Sequence, residues 1–169
     1  MTIYIFRHQE GGNMSSNCLS KKGIRHTHAL AKKIRELEPC TLYTVMPSYD
    51  GKHVRPIQTA SLVCSCLCKY VNFTDINNLP SKYDLDMNHV IIWHHHDMNK
   101  IINKYFTGES FQWNDENFTG CLVINEKQWY FYPKYLAHSF NLKKISFMSW
   151  ISKLVSCHSL CIRKNQIKN

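Results

Sequence analysis

The order of its short apolar runs is what most restricts the folds open to this chain. Ile3-Tyr4-Ile5-Phe6 opens the sequence and ends in Arg7-His8-Gln9-Glu10, followed by Gly11-Gly12. A run of this length, rich in β-branched and aromatic residues, reads as a buried strand. From Ile24 to Leu37 the apolar positions 24, 30, 31, 34 and 37 follow helical spacing, with Lys32, Lys33, Arg35 and Glu36 on the other side. Ser20 is its N-cap candidate, and Glu38-Pro39 ends it. Leu42 to Met46 reads as a second strand and Pro47 to Lys52 as a turn. His53 to Ala60 leads into a helix through Ser61 to Lys69, with Pro56 suited to its first turn. Tyr70 to Thr74 is a third strand, and Asp75 to Asn88 is polar loop. His89-Val90-Ile91-Ile92-Trp93 then runs as a strand into His94-His95-His96-Asp97. Met98, Ile101, Ile102, Tyr105 and Phe106 repeat at helical spacing until Thr107-Gly108. Gly120 to Asn125 and Gln128 to Tyr132 read as a β-hairpin, and Ile145 to Val155 as a last strand or helix. Strands alternating with helices predict an α/β fold with a mainly parallel sheet.

Right-handed crossovers return each strand in the same direction, so the strand ends at His8 and His94 belong on one edge of that sheet. Ligands bind beyond this edge in open α/β sheets. Three points there carry basic or imidazole chemistry: Arg7-His8, Arg55, and His94 to His96. Guanidinium forks pair bidentately with phosphate oxygens. A neutral imidazole attacks phosphorus to give a phosphohistidine, and a second, protonated histidine stabilises charge on the equatorial oxygens. The constellation therefore suits a phosphoryl group.

The formal net charge of +9 biases the chain toward anionic partners without choosing among them. At 169 residues it reads as one domain, 1–169, with a polar tail over 163–169. The eight cysteines, without a recognisable signal peptide, fit a reducing compartment. No run reaches the ~18 residues that span a bilayer. These features together predict a soluble, cytoplasmic protein with no membrane partner and leave its oligomeric state open.

Arg7-His8-Gln9-Glu10 resembles the Arg-His-Gly or Arg-His-Ala-Glu signature of the histidine phosphatase (phosphoglycerate-mutase-like) superfamily. Leu19-Ser20-Lys21-Lys22-Gly23 with Ala29-Leu30-Ala31 is similar to the segment after that family's first strand. Arg55-Pro56-Ile57-Gln58-Thr59-Ala60 looks like its Arg-x-x-Gln-Thr-Ala motif. Val90-Ile91-Ile92-Trp93-His94-His95 and Trp113-Asn114-Asp115-Glu116-Asn117-Phe118 resemble the subgroup with a Trp-x-His. The likeness covers residues 2 to 125, its motifs in the family's order. It implies a three-layer α/β/α sandwich and metal-independent hydrolysis of phosphomonoesters through a phosphohistidine on His8, with no cofactor. Arg7 and Arg55 would hold the phosphoryl oxygens. His95, two after Trp93, would be the second histidine, with His94 and then His96 as alternatives. The substrate would be a phosphorylated small molecule or phosphoprotein, and a mutase is disfavoured.

The departures are specific. Gln9 stands where the family has Gly or Ala; it either donates to phosphate or narrows the pocket. The segment that carries the family's acid and cap is short, offering Asp75, Asp84 and Asp86, with Asp97 beyond the histidines. Asp84 and Asp86 are the candidate acids, and the same brevity predicts a minimal cap and admits a member of weak or lost turnover. Glu10 is a helper to the site or a turn residue. Lys21 and Lys22 read as a solvated helix start. Zinc is disfavoured because adjacent histidines rarely point at one ion and no Cys-x-x-Cys pair is present. A basic nucleic-acid-binding module is the rival class, drawing on the charge and on Trp113, Trp129, Tyr130, Phe131 and Tyr132. Its basic residues are spread rather than striped, and those aromatics better fill a hairpin core.

Overall fold

The computed structural model describes residues 2–12, 17–49, 53–83 and 87–136. The candidate acids Asp84 and Asp86, the element expected over 145–155 and the tail 163–169 lie outside the described residues. Among the described residues six strands form one sheet: β1 (Ile3–Arg7), β2 (Cys40–Val45), β3 (Val71–Thr74), β4 (Asn88–Trp93), β5 (Cys121–Ile124) and β6 (Trp129–Tyr132). Their order is β3-β2-β4-β1-β5-β6. β3, β2, β4 and β1 run parallel, while β5 and β6 form the expected hairpin, antiparallel to β1 and to each other.

Helices α1 (Lys21–Arg35) and α2 (Val54–Leu67) pack on one face of the sheet, where Leu30, Ala31, Ile34, Ala60 and Val63 meet Phe6, Leu42, Val90 and Ile92. Helix α3 (Met98–Tyr105) lies on the other, where Met98, Ile101 and Ile102 meet Ile3, Ile5, Ile91 and Trp93. The result is a three-layer α/β/α sandwich. Ile3, Ile5 and Phe6 are fully buried because β1 sits inside the sheet with side chains covered on both faces. Truncating such a residue costs about 2–5 kcal/mol.

Ser20 caps α1 by accepting the Gly23 amide at 2.9 Å. α1 begins at Lys21, directly after the Ser20 cap, and α2 at Val54, which puts Pro56 in its first turn as expected. Gly23 is required for a separate reason: a Cβ there would lie 2.1 Å from the Glu10 carbonyl oxygen. The Ser20 backbone amide donates to that same oxygen at 3.0 Å, so the helix start is fastened to the chain leaving β1.

The aromatic run of β6 does not lie wholly in a core. Trp129 and Phe131 pack with Phe111 and Trp113, whereas Tyr130 and Tyr132 are 43% and 47% exposed on the opposite face. Four consecutive aromatic residues conceal the period of two, because both faces of the strand read as apolar.

Candidate active site

Register fixes the centre of the site. Arg7 pairs with Trp93 across β1 and β4, and the His8 amide donates to the Trp93 carbonyl at 3.0 Å. The next residues, His8 and His94, therefore leave the sheet side by side, with ring centroids 5.2 Å apart. His95, in the single 3₁₀ turn His95–Asp97, lies 6.1 Å from His8. The sequence expectation of one facing histidine becomes two. His96 is exposed and lies tilted against His95, with ring centroids 3.7 Å apart.

His8 is 2% exposed. Its Nδ1 lies 2.9 Å from the Gln9 carbonyl oxygen, which can only accept. Nδ1 therefore carries the proton, and Nε2 keeps its lone pair. Burial, with smaller contributions from His94, Arg7 and Arg55, pushes the His8 pKa down to about 3 against the bond to Gln9. The imidazole is neutral at neutral pH.

Arg55 reaches the cleft from the first turn of α2 and packs over Gly11, where a Cβ would meet its guanidinium at 3.0 Å. The rest of its motif builds this placement. Thr59 Oγ1 donates to the Arg55 carbonyl at 2.9 Å and accepts the Gln9 amide at 3.1 Å. Gln58 Oε1 accepts the Leu19 amide at 2.8 Å, and Ala60 is fully buried against the sheet.

Arg7 and Gln9 stand beside the cleft rather than along it. The Arg7 guanidinium lies 4.0 Å over the Phe118 ring and donates to the carbonyls of Asn114 and Asp115. Burial lowers its pKa to about 10, so it stays cationic. Gln9 is fully buried, and its Nε2 donates to the carbonyls of Arg7 and Phe118, both at 3.4 Å. Asn117 organises this loop by accepting the amides of Thr119 and Gly120, while its carbonyl takes the Trp113 indole N–H at 2.7 Å. Glu10 pairs with Lys22 at 2.6 Å and His26 at 2.5 Å, on the α1 side of the chain.

The cleft has a volume of about 340 Å³ and is lined by His8, Arg55, His94, His95 and His96, with Asn17, His53 and Asp97. His53, whose ring is 5.0 Å from His94, went unremarked in the sequence because nothing about its spacing marks it. Asp115 was likewise visible only as part of a motif; its carboxylate lies 2.9 Å from His95 Nε2. Burial first, then Arg7 and His96, pull the His95 pKa down to about 4 against Asp115. The contact is thus a neutral imidazole donating to a carboxylate rather than an ion pair. Against the expectation for adjacent histidines, His95, His96 and Asp115 offer ligand atoms within 4.8 Å of one another. The nearby Arg7 charge, which already disfavours a proton on His95, opposes a cation there too.

No family model matches the sequence, and no curated protein does. Solved structures do share its fold. The protein histidine phosphatase SixA, solved in complex with tungstate, aligns with a TM-score of 0.51 at 14% identity, over 78% of this chain and 94% of its own. Phosphoglycerate mutase from Bacillus anthracis aligns with a TM-score of 0.52 at 12% identity, over 82% of this chain and 96% of its own.

The chain shares the fold of these phosphatase and mutase structures.

A second phosphoglycerate mutase, from Plasmodium falciparum, aligns with a TM-score of 0.50 at 13% identity, over 86% of this chain and 97% of its own. Within this fold the cleft opens where parallel strands β1 and β4 end, at the edge the strand–helix order predicts. Among the described residues no helix is long and apolar enough to cross a membrane.

Proposed function

We propose that this chain is a metal-independent phosphomonoester hydrolase that works through a covalent phosphohistidine on His8. The observation that carries the reading is the state of that residue: buried, neutral, and fixed by the Gln9 carbonyl in the tautomer that leaves Nε2 nucleophilic. Arg55 lines the same cleft and supplies the guanidinium for the phosphoryl oxygens. His94 and His95 flank the attacking ring, and the protonated form of either one stabilises the charge that develops on those oxygens. Arg7 adds positive potential from beside the cleft. The substrate is a phosphorylated small molecule or a phosphoprotein. Hydrolysis is favoured over mutase chemistry because the segment joining β3 to β4 is short for a cap that would shield a phosphohistidine from water.

One observation favours a second reading, a phosphate-binding protein of weak turnover. The Arg7 guanidinium is already engaged by two backbone carbonyls and the Phe118 ring, so it is less free to follow a phosphoryl group. Hydrolysis of p-nitrophenyl phosphate, with and without chelator, separates the readings. Turnover that resists chelator, is inhibited by tungstate and disappears in His8→Ala is expected. Activity that survives in His8→Ala rejects the phosphohistidine mechanism.

A further inference from the structure

We infer that His53 is the proton donor to the leaving group in this cleft. The assignment rests on His8 being the nucleophile and supplies the acid that the sequence motifs leave open. An in-line displacement sets the attacking and leaving atoms on opposite sides of phosphorus. The His94 ring neighbours both, with centroids 5.2 Å from His8 and 5.0 Å from His53. Attacker and donor thus line one cleft as separate neighbours of the same ring, with Arg55 two residues along the chain from His53.

The described aspartates are otherwise engaged. Asp75 holds its own turn through the Asn78 amide at 3.0 Å and side chain at 2.8 Å. Asp115 takes His95 Nε2 and is 77% exposed. Asp97 lines the cleft but accepts from Lys100 Nζ at 2.9 Å. His53 Nδ1 is buried with no hydrogen-bond partner among the described residues, which leaves Nε2 as the nitrogen for proton transfer. An imidazole nitrogen can both give and take back a proton in such a step.

The steps balance. The His8 Nε2 lone pair forms the N–P bond as the P–O bond to the leaving group breaks. The electron pair of that bond stays on the leaving oxygen, which takes the proton from His53 Nε2 and departs as an alcohol. Water then attacks phosphorus, giving one proton to the now neutral His53. The N–P bond breaks, and its electron pair returns to His8.

The test compares wild type, His8→Ala, His53→Gln and Asp97→Asn on p-nitrophenyl, phenyl and glycerol phosphates. A donor matters most when the leaving alkoxide is basic. His53→Gln is expected to lose about 10²-fold or more in kcat/KM on glycerol phosphate, and less than about tenfold on p-nitrophenyl phosphate. Wild type should show a shallow dependence on leaving-group pKa and His53→Gln a steep one. In a further variant, His53→Ala, which leaves room for the ring, free imidazole should restore glycerol phosphate hydrolysis. Equal losses across the three esters, a steep dependence in wild type, or selective loss in Asp97→Asn instead would overturn the role of His53. Hydrolysis that persists in His8→Ala would overturn the phosphohistidine reading itself and this assignment with it.

Discussion

The backbone amide of Gln9 donates to the hydroxyl of Thr59 at 3.1 Å, joining the end of β1 to α2 across 50 positions of sequence. The same hydroxyl donates to the Arg55 carbonyl at 2.9 Å. One buried side chain therefore sets the distance between the strand that carries His8 and the helix turn that carries Arg55.

Thr59→Val keeps the shape and removes both bonds. A buried amide left without its acceptor costs about 1–3 kcal/mol. The melting temperature should fall, and kcat/KM for an aryl phosphate should fall with it even below the transition. A variant with wild-type stability and activity would show that water replaces the hydroxyl.

Gly23 and Gly108 should respond differently to alanine. At Gly23 a Cβ would meet the Glu10 carbonyl oxygen at 2.1 Å, and neither backbone can yield without moving α1 off the end of β1. Gly108 has open space around it but a φ of +86°, so alanine there meets only backbone strain, about 1 kcal/mol. Denaturant titration should show Gly23→Ala as the more destabilised of the two, with its activity also reduced. The reverse order would contradict the close approach at Glu10.

Acid should destabilise the fold partly through His8. Its folded pKa of about 3 lies below the ordinary value of 6.5, so below pH 6.5 the unfolded chain binds more protons. This contribution is fully present above pH 6.5 and is lost as pH falls toward 3. His95, pulled down to about 4, acts in the same direction. The melting temperature of wild type should fall between pH 6.5 and 4 more steeply than that of His8→Asn. Parallel profiles would mean that His8 does not titrate on unfolding.

Arg7→Lys should be costly although the charge is kept. A lysine cannot both lie over the Phe118 ring and reach the carbonyls of Asn114 and Asp115. The lost stacking alone is worth about 0.5–2 kcal/mol. Calorimetry should show a lower melting temperature, and Phe118→Leu should bring the two proteins closer together in stability. If Arg7→Lys melts with wild type, the guanidinium contacts carry no net energy.

The alternation of apolar runs and helical faces determined the sandwich, its mainly parallel sheet and its hairpin edge, because strand and helix periods are local properties of the chain. It also brought Arg7-His8, Arg55 and the three histidines to one edge, since crossover handedness leaves little choice. What Arg7 and Gln9 do there was decided by the loop at Asn114 to Phe118, more than 100 positions away, whose carbonyls and ring claim both side chains. The pairing of His94 as well as His95 with His8 came from register, the partnership of Asp115 from loop packing, and the place of His53 from the approach of α2 to the sheet. Hydrogen bonds between distant segments leave no period in a sequence, so only the folded chain chooses among the residues that local pattern had gathered.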